Sequence, residues 1–561
     1  MDRRGTGLTR DVNRSSRARA NGLPRPLVVG LAAGPTVALG LFYVWPFATL
    51  LGRALSSNAF ADTLGRSATW SVVWFTLWQA IASTALTIVI GLAPAYIVAR
   101  YNFRGRSALV GMLTAIFVLP TVVMGAAFRA LMPDSLERTV YALIAAHVVF
   151  NLAVVIRTVG TLWEQLPSDM EAAAGTLGAS AWHVFTEISL PLIRPAIAAA
   201  AGIVFLFTFA SFGVVRILGA PGTRTIEVEV WRRATQLNDI AGAAVLSVLQ
   251  LAILAVVVGW STAAQRRQTR ELQLRRPGPR RTVRSRSERR LVWLIGISTA
   301  VVALVPFAAL VVRSFSTPEG WSTAAWTNLR SPEVRPGIRT GIDPIAALTN
   351  SLHSAAWATT FAVVIGGVAS LAIAAAGPKA RLLDVGLMLP IGTSAVTIGF
   401  GMLITFDSPP VDWRAEWWLV PVGHALVAVP FVVRSTVGVL RSIDASLGDA
   451  AATLGGAPAA AWRETVVPAL WRPLAVGGGL AAAISLGEFG ATSFLSRSGG
   501  ETMPIAIDAL LGRTGSLLQA QGYVLATMLA VATAVMVMAV DRIRDVDGRR
   551  IGSGPGETAR R

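Results

Sequence analysis

The sequence predicts an all-α polytopic membrane protein with about twelve transmembrane helices in two parallel pseudo-repeats of six. Of its 561 residues, 53% are hydrophobic and only 14% are charged, whereas soluble domains carry about 25% charged residues. The apolar residues gather in segments long enough for the ~20-residue helix that spans a bilayer. A register of matching residues also relates the two halves of the chain.

The predicted spans divide evenly around one hydrophilic stretch. The first half holds six apolar segments, at about 27–51, 71–99, 107–129, 139–159, 192–217 and 240–263. The second half holds six more, at about 291–312, 351–376, 382–406, 416–438, 473–496 and 519–540. The first segment has no clear small-x-small cleavage site, which favours a membrane helix over a removed signal peptide. Pro120 and Pro390 fall inside spans and are expected to bend them.

Arginine-rich pieces orient the chain. Residues 1–26 hold seven Arg and two Asp, residues 263–290 hold eleven Arg and two Glu, and residues 541–561 hold six Arg and four acids. Together these pieces carry +16 of the formal net charge of +19. Because basic loops stay on the cytoplasmic side, both termini are predicted to be cytoplasmic. Membrane topology therefore explains the basic charge, and a nucleic-acid partner is disfavoured.

Five regions follow from these patterns. They are a basic cytoplasmic tail at 1–26, a first membrane half at 27–263, a basic cytoplasmic linker at 264–290, a second membrane half at 291–540 and a cytoplasmic tail at 541–561.

The two halves repeat at a shift of 277 residues. This shift maps His147 onto His424, the Thr-Leu-Gly run ending at Gly178 onto the run ending at Gly455, and Phe212-Gly213 onto Phe489-Gly490. A nearby shift pairs Ile90-Gly91 with Ile365-Gly366. An even number of spans in each half preserves its orientation, so we expect parallel repeats that meet at a central pathway.

Two predicted cytoplasmic loops, 171–191 and 449–468, share a pattern that indicates a docking surface. Each begins with an acid followed by alanines, which favours a short helix. A glycine follows, Gly178 or Gly455, and permits a turn or a close approach by another surface. Each loop closes on a proline, where a membrane helix is expected to begin. One copy alone fits an ordinary helix–turn–helix, but two copies in register on the same side favour docking.

The pattern of acid-Ala-Ala, three residues, Gly, nine residues and apolar-x-apolar-Pro resembles the EAA loop of binding-protein-dependent ABC importer permeases. The residues that carry the resemblance are Glu171, Ala172, Ala173, Gly178 and Pro191 in the first loop, and Asp449, Ala450, Ala451, Gly455 and Pro468 in the second. The first copy departs from the pattern, since counting back from its proline places Ala172 at the acid position. The resemblance spans nearly all of both halves and implies a fused two-half permease.

This resemblance implies the partners. Each loop would form a coupling helix seated on an ATP-hydrolysing subunit, with two such subunits and an extracytoplasmic solute-binding protein. ATP and Mg²⁺ would be bound by the ATPases, so no cofactor is expected in this chain. It has no Gly-x-x-x-x-Gly-Lys-Ser/Thr run, and Lys379 is its only lysine, so ATP hydrolysis by the chain itself is not expected. The expected location is the inner membrane of a bacterial cell.

A second run narrows the resemblance. Residues 485–494, Ser-Leu-Gly-Glu-Phe-Gly-Ala-Thr-Ser-Phe, are similar to a stretch found in the sulfate, molybdate, iron and thiamine permeases. Fused two-half permeases of this kind resemble ferric-iron and thiamine transporters, and short runs at 78–80, 146–151 and 225–227 favour thiamine. Thiamine and ferric iron both stay open as solutes at this point, with other small solutes behind them.

Four polar residues fall within or beside apolar spans. An intramembrane carboxylate such as Glu488 indicates a functional role, and Ser211 holds the repeat-equivalent place. We expect a gate or helix-packing role for these two. Direct contact with a cationic solute is the weaker interpretation for Glu488, because a carboxylate resembling it also occurs in permeases for anions, and a loop position outside the membrane also stays open. His147 and His424 have no acid or cysteine at ligand spacing, so hydrogen bonding between helices is favoured over a metal site.

Two other classes of protein share some of these features. An ion-gradient-driven secondary carrier can also have twelve spans in parallel halves, but it would leave the two EAA-like loops unexplained. A membrane-embedded enzyme is disfavoured because no concentrated acid pair and no nucleophile–base pair stands out. The absence of cysteine removes thiol catalysis and thiolate metal sites.

Overall fold

The protein is almost entirely helical in the part of the chain that the structure describes. The structure is a computed structural model that describes residues 25–56, 58–166, 168–220, 222–268, 280–317, 320–330, 333–335, 338–339, 341–408, 411–443, 446, 450, 453, 455 and 458–552. Most of the predicted basic tail at 1–26, the centre of the predicted linker and the last nine residues lie outside these ranges.

The first half of the chain forms thirteen described α-helices. They are α1 (Arg25–Leu39), α2 (Trp45–Leu55), α3 (Ala59–Gly65), α4 (Ser67–Arg100), α5 (Arg106–Val118), α6 (Thr121–Leu131), α7 (Val140–Gln165), α8 (Ser168–Thr176), α9 (Ala181–Val184), α10 (Leu190–Phe209), α11 (Gly213–Leu218), α12 (Ile226–Thr235) and α13 (Ile240–Gln268). Two π-helical turns, Gly40–Val44 and Phe185–Ser189, join α1 to α2 and α9 to α10.

The second half forms ten more described α-helices. They are α14 (Arg286–Ser314), α15 (Ala324–Thr327), α16 (Pro344–Ala376), α17 (Arg381–Gly392), α18 (Ala395–Thr405), α19 (Leu419–Ser442), α20 (Pro458–Gly487), α21 (Thr492–Leu495), α22 (Met503–Leu511) and α23 (Ser516–Gly552). Two 3₁₀ turns, Asn328–Arg330 and Gly377–Ala380, follow α15 and α16.

The strands are very short and form four separate pairs. They are β1 (Tyr101–Asn102), β2 (Arg281–Thr282), β3 (Ser316–Thr317), β4 (Gly320–Trp321), β5 (Glu333–Arg335), β6 (Ile338–Arg339), β7 (Asp407–Ser408) and β8 (Val411–Asp412). Strand β1 pairs with β2 in parallel, and the other three pairs are antiparallel hairpins.

Ten helical stretches among the described residues are long and apolar enough to cross a membrane, and the bent pair α5–α6 raises the number to eleven. A polytopic helical membrane protein is therefore confirmed. One reason for the difference from twelve is that residues 344–392 run as a single helical stretch, with α18 as a separate short apolar helix. The count of twelve and the cytoplasmic placement of both termini stay predictions.

A proline bend recurs in both halves. The chain bends by 106° between helices α5 and α6, at Pro120. In the second half, Pro390 lies in the last turn of α17, and the helix breaks at 393–394 before α18 begins. The helices that follow the two breaks, α6 and α18, are each eleven residues long. The bend expected at Pro120 is confirmed, and the break in the second half falls just after its proline.

The repeat extends to individual packing contacts. A Cβ added to Gly91 on α4 would lie 2.8 Å from Val155 Cγ1 on α7. In the second half, a Cβ on Gly366 of α16 would lie 2.9 Å from Val432 of α19. Helices in a membrane gain little from the hydrophobic effect against each other, so small residues are needed to let their backbones pack closely. The same glycine–valine contact therefore holds the central helix pair of each half.

The chain forms two compact units that combine segments from both halves. One unit contains Met1–Thr49, Ser351–Ala491 and Val535–Arg561, and the other contains Leu50–Asn350 and Thr492–Ala534. In the first unit, the N-terminal helix packs on second-half helices, where Leu39 lies against Gly386 of α17. The two membrane halves predicted from the sequence, 27–263 and 291–540, follow the internal repeat and differ from these compact units. The boundaries of the predicted halves stay predictions.

Replacing either buried glycine should destabilise the protein. Gly91→Ala and Gly366→Ala would each force a methyl group against a valine side chain, and overpacking of this kind costs about 1–3 kcal/mol. Thermal unfolding in detergent should therefore begin at a lower temperature in both variants. Gly111→Ala is the matched control, because Gly111 on α5 has open space at its Cβ position. Equal unfolding temperatures for all three variants would contradict the close-packing account.

Candidate functional site

The first of the two predicted cytoplasmic loops is a short helix closed by a glycine turn. At the end of α8, the amide of Ala179 donates to the Ala174 carbonyl at 3.0 Å, and the amide of Gly178 donates to the Gly175 carbonyl at 3.1 Å. This pair of bonds is a Schellman ending, which places a residue in the left-handed conformation. Gly178 supplies that residue with a φ of 83°. Its predicted role as a turn residue is confirmed.

The second loop repeats this local structure at its described residues. Gly455 has a φ of 80°, and the Thr453 hydroxyl donates to the Ala450 carbonyl at 2.7 Å. In the first loop, the Thr176 hydroxyl donates to the Ala173 carbonyl at the same distance. The shared bond and the shared glycine conformation show that the sequence register continues into the loop geometry.

Two residues of the predicted second-loop pattern lie outside the described part of the chain: Asp449 and Ala451.

The acid of the first loop points inward. Arg100 at the end of α4 donates from Nη2 to Glu171 Oε1 at 2.6 Å, and the Ser189 hydroxyl donates to the same oxygen at 2.9 Å. Arg100 also donates from Nη1 to the Leu166 carbonyl at 3.0 Å. The side chains of Arg100 and Glu171 are only 7% and 11% exposed. This one pair therefore joins the loop helix to the ends of α4 and α7 and to the π-helical turn before α10.

The outer surface of the first loop is apolar. Leu177 is 89% exposed, Trp182 is 71% exposed and Met170 is 48% exposed, and Ala173 is exposed beside them. Ala172 lies in the same helix, α8. Large apolar side chains exposed on one short loop favour an interaction surface. The loop thus presents apolar side chains outward while its carboxylate is held inside.

Of the two prolines that close the loop patterns, Pro191 is the second residue of α10, so the expected helix start is confirmed there, whereas Pro468 lies inside α20 and the expectation is wrong. The chain is already helical from Ala181, and Leu190 and Pro191 follow the π-helical turn. Pro468 lies ten residues into α20. Proline lacks the amide that a helix interior would use, and a π-helical turn is one way for a helix to tolerate the lost bond.

The repeat-related histidines each hydrogen-bond to a serine. His147 Nε2 lies 2.9 Å from Ser211 Oγ, and His424 Nδ1 lies 2.8 Å from Ser485 Oγ. The predicted bonding between helices is confirmed for His424, whose partner lies in α20, whereas the partner of His147 lies in the break between α10 and α11. Among the described residues, no group of three or more His, Asp or Glu side chains is arranged to hold a metal ion.

Glu488 caps a turn of its own backbone. Its Oε1 accepts a hydrogen bond from the amide of Ala491 at 2.9 Å, and the residue is buried. Within that turn, a Cβ on Gly490 would lie 3.0 Å from the amide nitrogen of Val396 at the start of α18. Gly213, the repeat equivalent of Gly490, packs in the same way against the start of α6. Backbone capping and close packing are therefore among the contacts of this region.

Two residues of the loop's inner face carried no functional signal in the sequence. Arg100 ends a long apolar helix and needs no explanation beyond membrane topology, and the sequence assigns no role to Ser189. A cytoplasmic arginine at the end of a span is expected from topology alone. Its partner Glu171 is 71 residues away along the chain, so only the fold brings the two together.

Comparison with known proteins supplies independent findings. The family described as "Binding-protein-dependent transport system inner membrane component" matches residues 87–271. A thiamine transport system permease protein of Salmonella typhimurium is 25% identical over 552 residues, which cover 92% of this chain and 98% of that protein. The thiamine transport system permease protein of Escherichia coli K12 is 24% identical over 500 residues, covering 84% of this chain and 89% of that protein.

A shorter relative matches more closely over part of the chain. A putative 2-aminoethylphosphonate transport system permease protein of Salmonella typhimurium is 30% identical over 207 residues. These residues cover 35% of this chain and 77% of that protein.

Proposed function

The chain belongs to the family of binding-protein-dependent transport system inner membrane components, and we propose that it carries thiamine across the membrane. It is the permease of an ABC importer and not an enzyme, and its partners are an ATPase and a solute-binding protein. The proposal that the solute is thiamine depends on how much of the chain each relative matches. Relatives named for thiamine transport match along more than four fifths of the chain, whereas the relative named for 2-aminoethylphosphonate matches along about one third.

The first cytoplasmic loop is proposed as a coupling helix for the ATPase. Its exposed apolar residues Met170, Leu177 and Trp182 would fill a groove of that subunit. The equivalent loop around Ala450 and Gly455 would dock a second subunit, which gives two ATPase subunits for each permease. Asp449 and Ala451 belong to that second docking surface by the sequence pattern. ATP and Mg²⁺ would be bound by the ATPases, and no cofactor is proposed for this chain.

The inward ion pair would carry motion from the loop to the membrane. When ATP draws the two ATPase subunits together, a docked loop helix moves with its subunit. Glu171 would pass this displacement to α4 through Arg100 and to α10 through Ser189. A buried, hydrogen-bonded ion pair resists separation because breaking it leaves an uncompensated charge. The halves would then tilt and open the pathway outward, and ATP hydrolysis would reset them.

The buried polar residues at the far ends of α10 and α20 are proposed as gate-positioning groups. Ser211 is held by His147, and Glu488 is held by the backbone amide of Ala491. Each therefore fixes the turn that follows a long membrane helix. Their role would be to set the shape of the pathway, without a requirement that the solute contact them.

Loss of the gene should abolish high-affinity thiamine uptake. Cells with and without the gene, retaining the ATPase and binding protein, would be given labelled thiamine, ferric iron or 2-aminoethylphosphonate at nanomolar concentration. We expect a loss of thiamine uptake alone, because the matching relatives of full length are named for that solute. A loss confined to ferric iron or 2-aminoethylphosphonate would overturn the proposed solute and keep the permease assignment.

A charge in the exposed apolar surface should break the ATPase contact. Leu177→Asp should reduce both ATPase recovery with the purified permease and thiamine uptake by at least about tenfold, because buried apolar anchors dominate binding energy at interfaces. Leu237→Asp is the matched control, since Leu237 is also exposed but lies in the loop between α12 and α13. Normal ATPase recovery and uptake in Leu177→Asp would refute the proposed docking surface.

A further inference from the structure

The described end of the linker docks beside the first cytoplasmic loop. Strand β2 (Arg281–Thr282) pairs in parallel with β1 (Tyr101–Asn102), which directly follows α4. One residue earlier, Arg280 donates from Nη2 to Glu164 Oε1 at 2.5 Å. Glu164 lies in the last turn of α7. The linker is therefore attached, by backbone and by side chain, to the ends of the same two helices that Arg100 connects to the loop.

Glu164 lies between two arginines from different segments. Arg106 Nη2 lies 3.8 Å from Glu164 Oε2, and Arg106 Nε donates to the Val98 carbonyl at 2.8 Å. The side chains of Arg106, Glu164 and Arg280 are 21%, 20% and 32% exposed. Partly buried pairs of this kind are screened less by salt than surface pairs. Charge-assisted hydrogen bonds are also stronger than neutral ones.

These attachments exceed what a tether needs. A hydrophilic segment that only joins two membrane halves requires enough length and good solvation. It requires neither a fixed strand register with β1 nor a carboxylate partner on α7. The β1–β2 strand pair also lies next to the ion pair between Arg100 and Glu171, because Tyr101 of β1 follows Arg100 directly in the chain.

We propose that residues 280–282, called the brace here, hold the base of the first coupling loop in place and are a working part of energy coupling. The proposal rests on the coupling role proposed above for that loop. If the brace were lost, the ends of α4 and α7 could shift relative to each other while the loop stayed docked. ATP would then be hydrolysed with less solute moved, although the complex would still assemble.

The first test measures solute moved per ATP hydrolysed by the full importer in liposomes. Arg280→Gln and Glu164→Gln should each lower this ratio by about threefold to fivefold, the range that a partly screened ion pair supplies. Arg280→Glu combined with Glu164→Arg should restore it to within about twofold, since the swapped pair regains the attraction. Arg284→Gln is the matched control, because Arg284 is an exposed arginine of the same segment. An unchanged ratio in both single variants would overturn the proposal.

The second test probes the strand pairing that attaches the brace to β1. The chain has no cysteine, so Asn102→Cys with Thr282→Cys introduces one defined pair at partnered strand positions. A disulfide should form under mild oxidation both without nucleotide and with ATP bound, and the cross-linked importer should keep its transport per ATP. Failure to cross-link, or loss of transport on cross-linking, would contradict a brace that stays closed during the cycle.

The Leu177→Asp variant distinguishes failure of the brace proposal from failure of the proposed coupling role of the loop. If this variant stops transport while the Arg280 and Glu164 variants transport normally, the brace is wrong and the docking role stands. If Leu177→Asp itself transports normally, the coupling role of the loop is wrong, whatever the brace variants do.

Discussion

One buried ion pair attaches the proposed first coupling loop to the membrane helices. Glu171 is held by Arg100 and Ser189, and Arg100 also holds the carbonyl that ends α7. A helix of nine residues is too short to be stable alone in water, so its orientation has to come from such attachments. With the carboxylate inside, the outward face is left to apolar side chains such as Leu177. The ion pair thereby fixes the inner side of the loop and leaves its other side free for the proposed docking.

The membrane imposes a second constraint, because spanning helices must be held together by close packing and hydrogen bonds. Each half satisfies this need for close packing at equivalent positions. A glycine packs on a valine between the central helices, at Gly91 and Gly366, and a glycine packs at the start of the helix after a bend, at Gly213 and Gly490. This repetition explains why two nearby shifts of the sequence, 275 and 277 residues, relate residues with quite different roles. In the proposed mechanism, the loops join these two similar frameworks to the ATPase partners.

The class of fold, the repeat and the loop glycines could be predicted because each leaves a local mark: apolar length, a constant shift, or a residue suited to positive φ. The direction of Glu171 could not, since its partner Arg100 is distant in sequence and had a sufficient topological explanation. The place of Pro468 inside a helix could not be predicted for a similar reason. Proline marks helix starts and helix bends alike, and the π-helical turn before Pro191 has no recognisable signature. Sequence patterns indicate how deep a residue lies more readily than which neighbour it meets.

The most direct measurement is a double-mutant cycle on the inner ion pair, with thiamine uptake by the reconstituted importer as the readout. Arg100→Gln, Glu171→Gln and the double variant would be compared, with Glu187→Gln as the control for loss of an exposed acid in the same loop. Because each single change leaves a buried charge unpaired, the double variant should transport at least as well as the worse single variant. If the two losses multiply as independent effects do, or if both single variants match Glu187→Gln, the ion pair does not position the loop and the account fails.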